Sequence, residues 1–108
     1  MHSEPITDVN EYMRIRYSEK AGRWDDCVHT KALCQDGYSV SIQASSFHYC
    51  VPRVTGARHY DALELGYPSE RDPLIEGYRE DENDIYPFVP SDLVNQLLEK
   101  HGGIVYWE

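Results

Sequence analysis

The run from Cys27 to Val51, CVHTKALCQDGYSVSIQASSFHYCV, constrains the fold more than any other stretch, because a strict alternation there meets a turn signal. From Tyr38 to Ser45 the apolar residues Tyr38, Val40, Ile42 and Ala44 alternate with Ser39, Ser41, Gln43 and Ser45. That period of two is the pattern of a half-buried strand. A three-residue loop Gln35 to Gly37, with the glycine in the left-handed position, pairs Cys34 with Tyr38, Ala32 with Val40 and Val28 with Ala44, so apolar meets apolar on one face. A two-residue loop at Asp36-Gly37 would instead set Lys31 against Ile42. The pattern therefore selects the longer loop. A reversal at Ser45-Ser46 then places Phe47, Tyr49 and Val51 on the same buried face, which predicts a three-stranded meander over residues 27–51.

The remaining elements must cover that meander. Asp8 with Glu11 reads as a capping pair, and Val9, Tyr12, Met13, Arg16 and Tyr17 follow at helical spacing until Gly22. Trp24 is expected to pack the helix end onto the sheet. Residues 60–67, YDALELGY, alternate again with Leu63, Leu65 and Tyr67 on one side, a fourth strand that Pro68 stops. Residues 69–90 mix three prolines and dense acids with Leu74, Ile75, Tyr78, Ile85, Tyr86 and Phe88. Such apolar content predicts a long ordered loop that displays its carboxylates. Ser91 caps a second helix with the stripe Leu93, Val94, Leu97 and Leu98. Lys100 and His101 lie at its negative end and Gly102 stops it. Ile104 to Trp107 is a last short strand, either at a sheet edge or crossing beneath the second helix. The expected fold is α+β in one domain over residues 1–108, an antiparallel sheet of four or five strands with two helices on one face.

Charge is informative once it is placed along the chain. The 108 residues carry 10 Lys and Arg against 19 Asp and Glu, a net charge of −9. Residues 1–60 are balanced, whereas residues 61–99 hold eleven acids against Arg71 and Arg79 alone. A surface of that sign repels nucleic acid and anionic membrane and attracts basic surfaces. Duplex DNA carries one charge per about 1.7 Å, so nine charges match about 15 Å of duplex. The segment therefore reads as a partial DNA mimic, with Glu64, Glu70, Asp72, Glu76, Tyr78, Glu80, Asp81, Glu82, Asp84 and Tyr86 as candidate partner-binding residues. The interleaved aromatics strengthen that reading, because such side chains are enriched at protein interfaces. The bland alternative is a solvated face that keeps the protein in solution.

Two cysteines and two histidines, Cys27-x-His29 and His48-x-Cys50, are zinc ligands by type. In the register above their strands flank the central one, about 9.5 Å apart at the ladder spacing, with Gln43 between them. No metal and no cofactor are expected. A thiol nucleophile at Cys27 or Cys50 with a histidine base is disfavoured too, since residues at i and i+2 on a strand stand side by side. An odd number of cysteines gives no disulfide framework, and the chain has neither a basic, apolar start nor a long apolar run. The expected location is a reducing cytoplasm.

At YSVSIQASSFHYCVPR, ALELGYPSE and DIYPFVPSDLVNQLLEKHGG, over roughly residues 37 to 103, the chain resembles small proteins encoded by bacteriophages and prophages. Those show an SVQA…YC.PR strand pair, a vEvGFPS strand and a Y.YVP…KHGG ending. This chain departs from them with Tyr67 for phenylalanine, Val51 for a frequent serine and Pro87-Phe88 for glycine-tyrosine. What the resemblance implies is a non-enzymatic inhibitor of host defence that binds a CRISPR effector, restriction enzyme or other nuclease in the host cytoplasm, an analogy carried by origin and not by any residue. Two alternatives stand beside it: a small metal- or thiol-dependent enzyme using Cys27, His29, His48 and Cys50, and a phage accessory protein without a defence role.

Overall fold

A computed structural model describes residues 4–19, 29–80 and 83–108. The alternation at Tyr38 to Ser45 produces the expected hairpin: β1 (Ala32–Cys34) and β2 (Ser39–Gln43) pair antiparallel with Ala32 opposite Val40. Gly37 takes φ +97°, and the Cys34 N–H donates to the Tyr38 carbonyl at 2.7 Å, closing the three-residue loop. Asp36 stabilises the turn by accepting the Tyr38 N–H on its side chain at 2.9 Å.

Strand β3 (Ala62–Gly66) lies on the other side of β2, with Ile42 opposite Leu65. It takes the place expected for residues 47–51. Those residues form turns and bends, and their ladder pairing with the sheet is reduced to an isolated bridge from Val51 to Ala62. Phe47, Tyr49 and Val51 are exposed, so the expected burial of this trio is corrected. Ser45 explains the turn: its hydroxyl accepts the Phe47 N–H at 2.9 Å, a local bond that bends the chain away from the ladder. The expected partner of β2 on this flank, Val28 opposite Ala44 on the other, and Trp24 fare differently, since Val28 and Trp24 lie outside the described residues.

The fifth strand comes from the segment read as loop. β4 (Ile85–Pro90) pairs antiparallel with β3 as an edge strand, the position in a sheet that tolerates Pro87 and Pro90. Leu63 faces Val89 and Leu65 faces Tyr86, so Glu64 opposes two residues, Pro87 and Phe88, in a bulge. Phe88 absorbs it with φ +54°, and its N–H donates to Tyr49 at 3.1 Å rather than to β3. Tyr67, expected inside, has φ +48° and is exposed, because the ladder ends at Gly66. β5 (Ile104–Tyr106) closes the other edge beside β1, and Ile6 bonds to Ile104 in both directions outside it. The sheet order is β4-β3-β2-β1-β5.

Both helices cover one face of this sheet. α1 (Val9–Glu19) is capped as expected by the Asp8 carboxylate, which accepts the Asn10 N–H at 3.0 Å. α2 (Ser91–Lys100) buries Val94, Leu97 and Leu98, but the Ser91 side chain makes no capping bond. Facing them are Ala32, Cys34, Val40, Ile42, Leu63, Leu65, Tyr86 and Ile104, all buried, each large side chain contributing about 1.5–3 kcal/mol. The alternate residues Leu33, Ser39, Ser41 and Glu64 lie on the open face. Two side-chain amides extend the pairing where the ladder stops. Gln43 accepts the His29 N–H at 3.0 Å and donates to the His29 carbonyl at 2.7 Å. Asn10 does the same for Tyr60, at 2.7 and 3.1 Å.

Asn10 is buried, so Asn10→Ala leaves a backbone donor and acceptor of Tyr60 unpaired. Urea denaturation should show a loss of about 1–3 kcal/mol with an unchanged m-value.

Candidate functional site

The acidic segment is anchored from within. Asp72 is only 3% exposed. Its Oδ1 accepts the Leu74 N–H at 2.9 Å and the Lys100 ammonium at 3.0 Å, while its Oδ2 lies 2.8 Å from Nε2 of His101. The opposite ring nitrogen of His101 lies 2.7 Å from Oδ2 of Asp36 in the hairpin loop. With a carboxylate on each side both nitrogens donate, so His101 is an imidazolium. The two acids and two bases balance. Tyr38 stacks flat on the imidazolium, centroids 3.9 Å apart at 8°. Its buried hydroxyl has no hydrogen-bond partner among the described residues, and desolvation pushes its pKa up.

Burial by itself pulls the His101 pKa down, but the hydrogen bonds and charges of Asp36 and Asp72 outweigh it and hold the value above the usual 6.5. For Asp72, burial pushes up and is outweighed by the bonds from Leu74, His101 and Lys100, leaving it below 3.8. Asp36 is lowered by the Tyr38 N–H and then by His101.

Around this anchor the candidate residues separate into two groups. Tyr86 is buried with its hydroxyl donating to Glu76 at 3.3 Å, and Asp72 is internal, so neither is a contact residue as expected. A linear charge count does not distinguish a paired acid from a displayed one. Glu64 is half-buried and accepts the Tyr49 N–H at 2.9 Å. Glu70, Glu80 and Asp84 are exposed, as is Tyr78 at the end of a 3₁₀ turn, Glu76–Tyr78. Glu76 pairs with Arg71 at 3.7 Å and Asp84 with Arg79 at 3.7 Å, which offsets part of the charge they display. Asp81 and Glu82 lie outside the described residues.

The second cluster takes a different shape. Cys27 lies outside the described residues. His29 is buried beside Tyr17, rings 4.7 Å apart, while His48 binds the Ser45 hydroxyl through Nδ1 at 2.6 Å. The Cys50 thiol is buried and donates to the Ser45 carbonyl, and desolvation pushes its pKa up, the opposite of what a nucleophile needs. Among the described residues no three histidine, cysteine or carboxylate groups converge as a metal site. No helix of the described residues is long and apolar enough to cross a membrane.

No protein-family model, curated protein or solved structure matches the chain.

The linkage of the anchor has a definite sign. The raised His101 value contributes stability that is complete below about pH 6.5 and lost as pH rises through the folded value. The lowered Asp36 and Asp72 values contribute stability present above about pH 3.8 and lost as pH falls through theirs. Thermal unfolding across pH should therefore give the highest Tm between those limits. His101→Ala should lower stability by about 3–5 kcal/mol at pH 6 and remove the decline on the alkaline side.

Proposed function

We propose that the protein is a non-enzymatic, phage-encoded inhibitor that binds a basic, nucleic-acid-binding surface of a host nuclease or CRISPR effector through the loop between β3 and β4. The observation that carries this reading is the anchoring of that loop's described residues to the core and to α2. Ile75 and Tyr86 are sunk in the core and Asp72 is locked to α2, so Glu70, Tyr78, Glu80 and Asp84 stand out from a fixed frame. A frame already ordered loses little conformational entropy on docking.

The electrostatics match a short basic groove. The loop between β3 and β4, residues 67–84, carries seven acids and two arginines. That is a fraction of the charge of one duplex turn, which suits occupation of part of a groove rather than replacement of a whole substrate. Tyr78 supplies an amphipathic ring at the centre, the residue type that anchors protein interfaces.

Affinity capture from host lysate followed by surface plasmon resonance tests the reading. Association with the captured nuclease should slow as salt rises from 0.1 M toward 1 M, where the Debye length shrinks from about 10 Å to 3 Å. The double reversal Glu70→Lys and Glu80→Lys should weaken binding by about tenfold or more while Tm stays within about 2 °C, and Tyr78→Ala should act on the off-rate. A complex indifferent to salt and to both reversals would reduce the loop to a solubility face.

A further inference from the structure

The acidic loop is not where the apolar surface lies. Nine large hydrophobic side chains are exposed among the described residues, and five of them, Phe47, Tyr49, Val51, Val54 and Phe88, belong to the loop after β2 or to the bulge that it touches. Phe47 is the extreme case at 76% exposure. Single exposed apolar residues need no explanation, but a concentration of this kind on one loop marks a contact surface.

The loop is held in shape independently of any partner. Ser46 bonds Thr55 through its backbone N–H and its hydroxyl, both at 3.1 Å. The Tyr60 hydroxyl accepts the Ala57 N–H at 3.0 Å and donates to the Val54 carbonyl at 2.6 Å. Tyr49 is fixed at both ends of its peptide, by Glu64 and by the Phe88 N–H, and its ring lies 5.8 Å from that of Phe88. The aromatic rings are thus presented outward by bonds that leave them exposed.

The charge of this surface is opposite to that of the protein. Residues 46–59 contain no acid and hold Arg53 and Arg58 with His48 and His59. The two nearest carboxylates are already engaged, Glu64 with the Tyr49 N–H and Asp61 with His59 at 3.3 Å. The Arg53 guanidinium sits over the Tyr49 ring at 5.1 Å, which orients the cation beside the apolar surface while leaving its donors free for a carboxylate.

We infer that loop 46–59 with Phe88 is a second contact surface, fitted to a segment of a protein partner that carries apolar side chains flanked by carboxylates. Phenylalanine and tyrosine rings pack against such side chains and Arg53 pairs with the flanking carboxylates. Single-stranded nucleic acid would use the same rings, but two arginines on a protein of net charge −9 provide too little attraction for phosphates. The surface is separate from the acidic loop, which adjoins the opposite end of β4.

Two-dimensional ¹H–¹⁵N NMR titration of the whole protein tests this with three probes: a short peptide with a Leu-Trp-Leu core flanked by aspartates, the same core flanked by lysines, and an oligo-dT strand. The aspartate-flanked peptide should shift resonances of residues 46–59 and 88. Arg53→Glu should weaken it by about tenfold, as should Phe47→Ala, which alters an exposed side chain and leaves the fold intact. Glu80→Lys should leave this binding unchanged. Shifts produced there by the lysine-flanked peptide or by oligo-dT, or none with the aspartate-flanked peptide, would overturn the inference.

Discussion

The imidazolium of His101 between Asp36 and Asp72 is the interaction on which the rest of the structure depends. It joins three segments that are remote in sequence: the β1–β2 turn, the acidic loop and the end of α2. A buried ion in this position is tolerable because every partner is satisfied, with Lys100 and the Leu74 N–H completing Asp72 and the Tyr38 N–H completing Asp36. The next two residues are crowded by other neighbours. Gly102 and Gly103 have positive φ, and a Cβ on Gly102 would stand 2.9 Å from Gln35 and one on Gly103 2.6 Å from Pro5. The KHGG ending is therefore a junction in which two residues balance two acids and two allow the chain to pass close to its neighbours.

That junction also determines what the acidic segment can do. With Asp72 consumed internally and Ile75 and Tyr86 in the core, the loop acquires a 3₁₀ turn and leads into an edge strand instead of remaining a solvated run. The carboxylates left outside are fewer than the composition suggests and partly offset by Arg71 and Arg79. Along β4 the surface changes character, from acids before Ile85 to exposed rings and Arg53 around Phe88. Pro87, Pro90 and the bulge keep this edge from adding a further strand, so contact there runs through side chains.

The sequence by itself determined the elements whose information is local. Strict alternation and a glycine at the loop's third position specified the loop and register of the β1–β2 hairpin, because a shift by one would have turned Val40 and Ile42 into water. Asp8 capped α1 and the stripe Val94, Leu97 and Leu98 placed α2, since caps and helical periods act within a few residues. Only the tertiary structure decided which strand lies beside β2. Phe47, Tyr49 and Val51 alternate as convincingly as Leu63 and Leu65, but a period of two carries no information about partner, and Ser45 turns the former out while β3 takes the ladder. It likewise decided that Pro87 and Pro90 belong to a strand, because proline is excluded from sheet interiors and not from edges. The fate of Asp72 and His101 was decided there too: ion pairing depends on distance in space, and 29 residues of chain separate the two groups that meet at 2.8 Å.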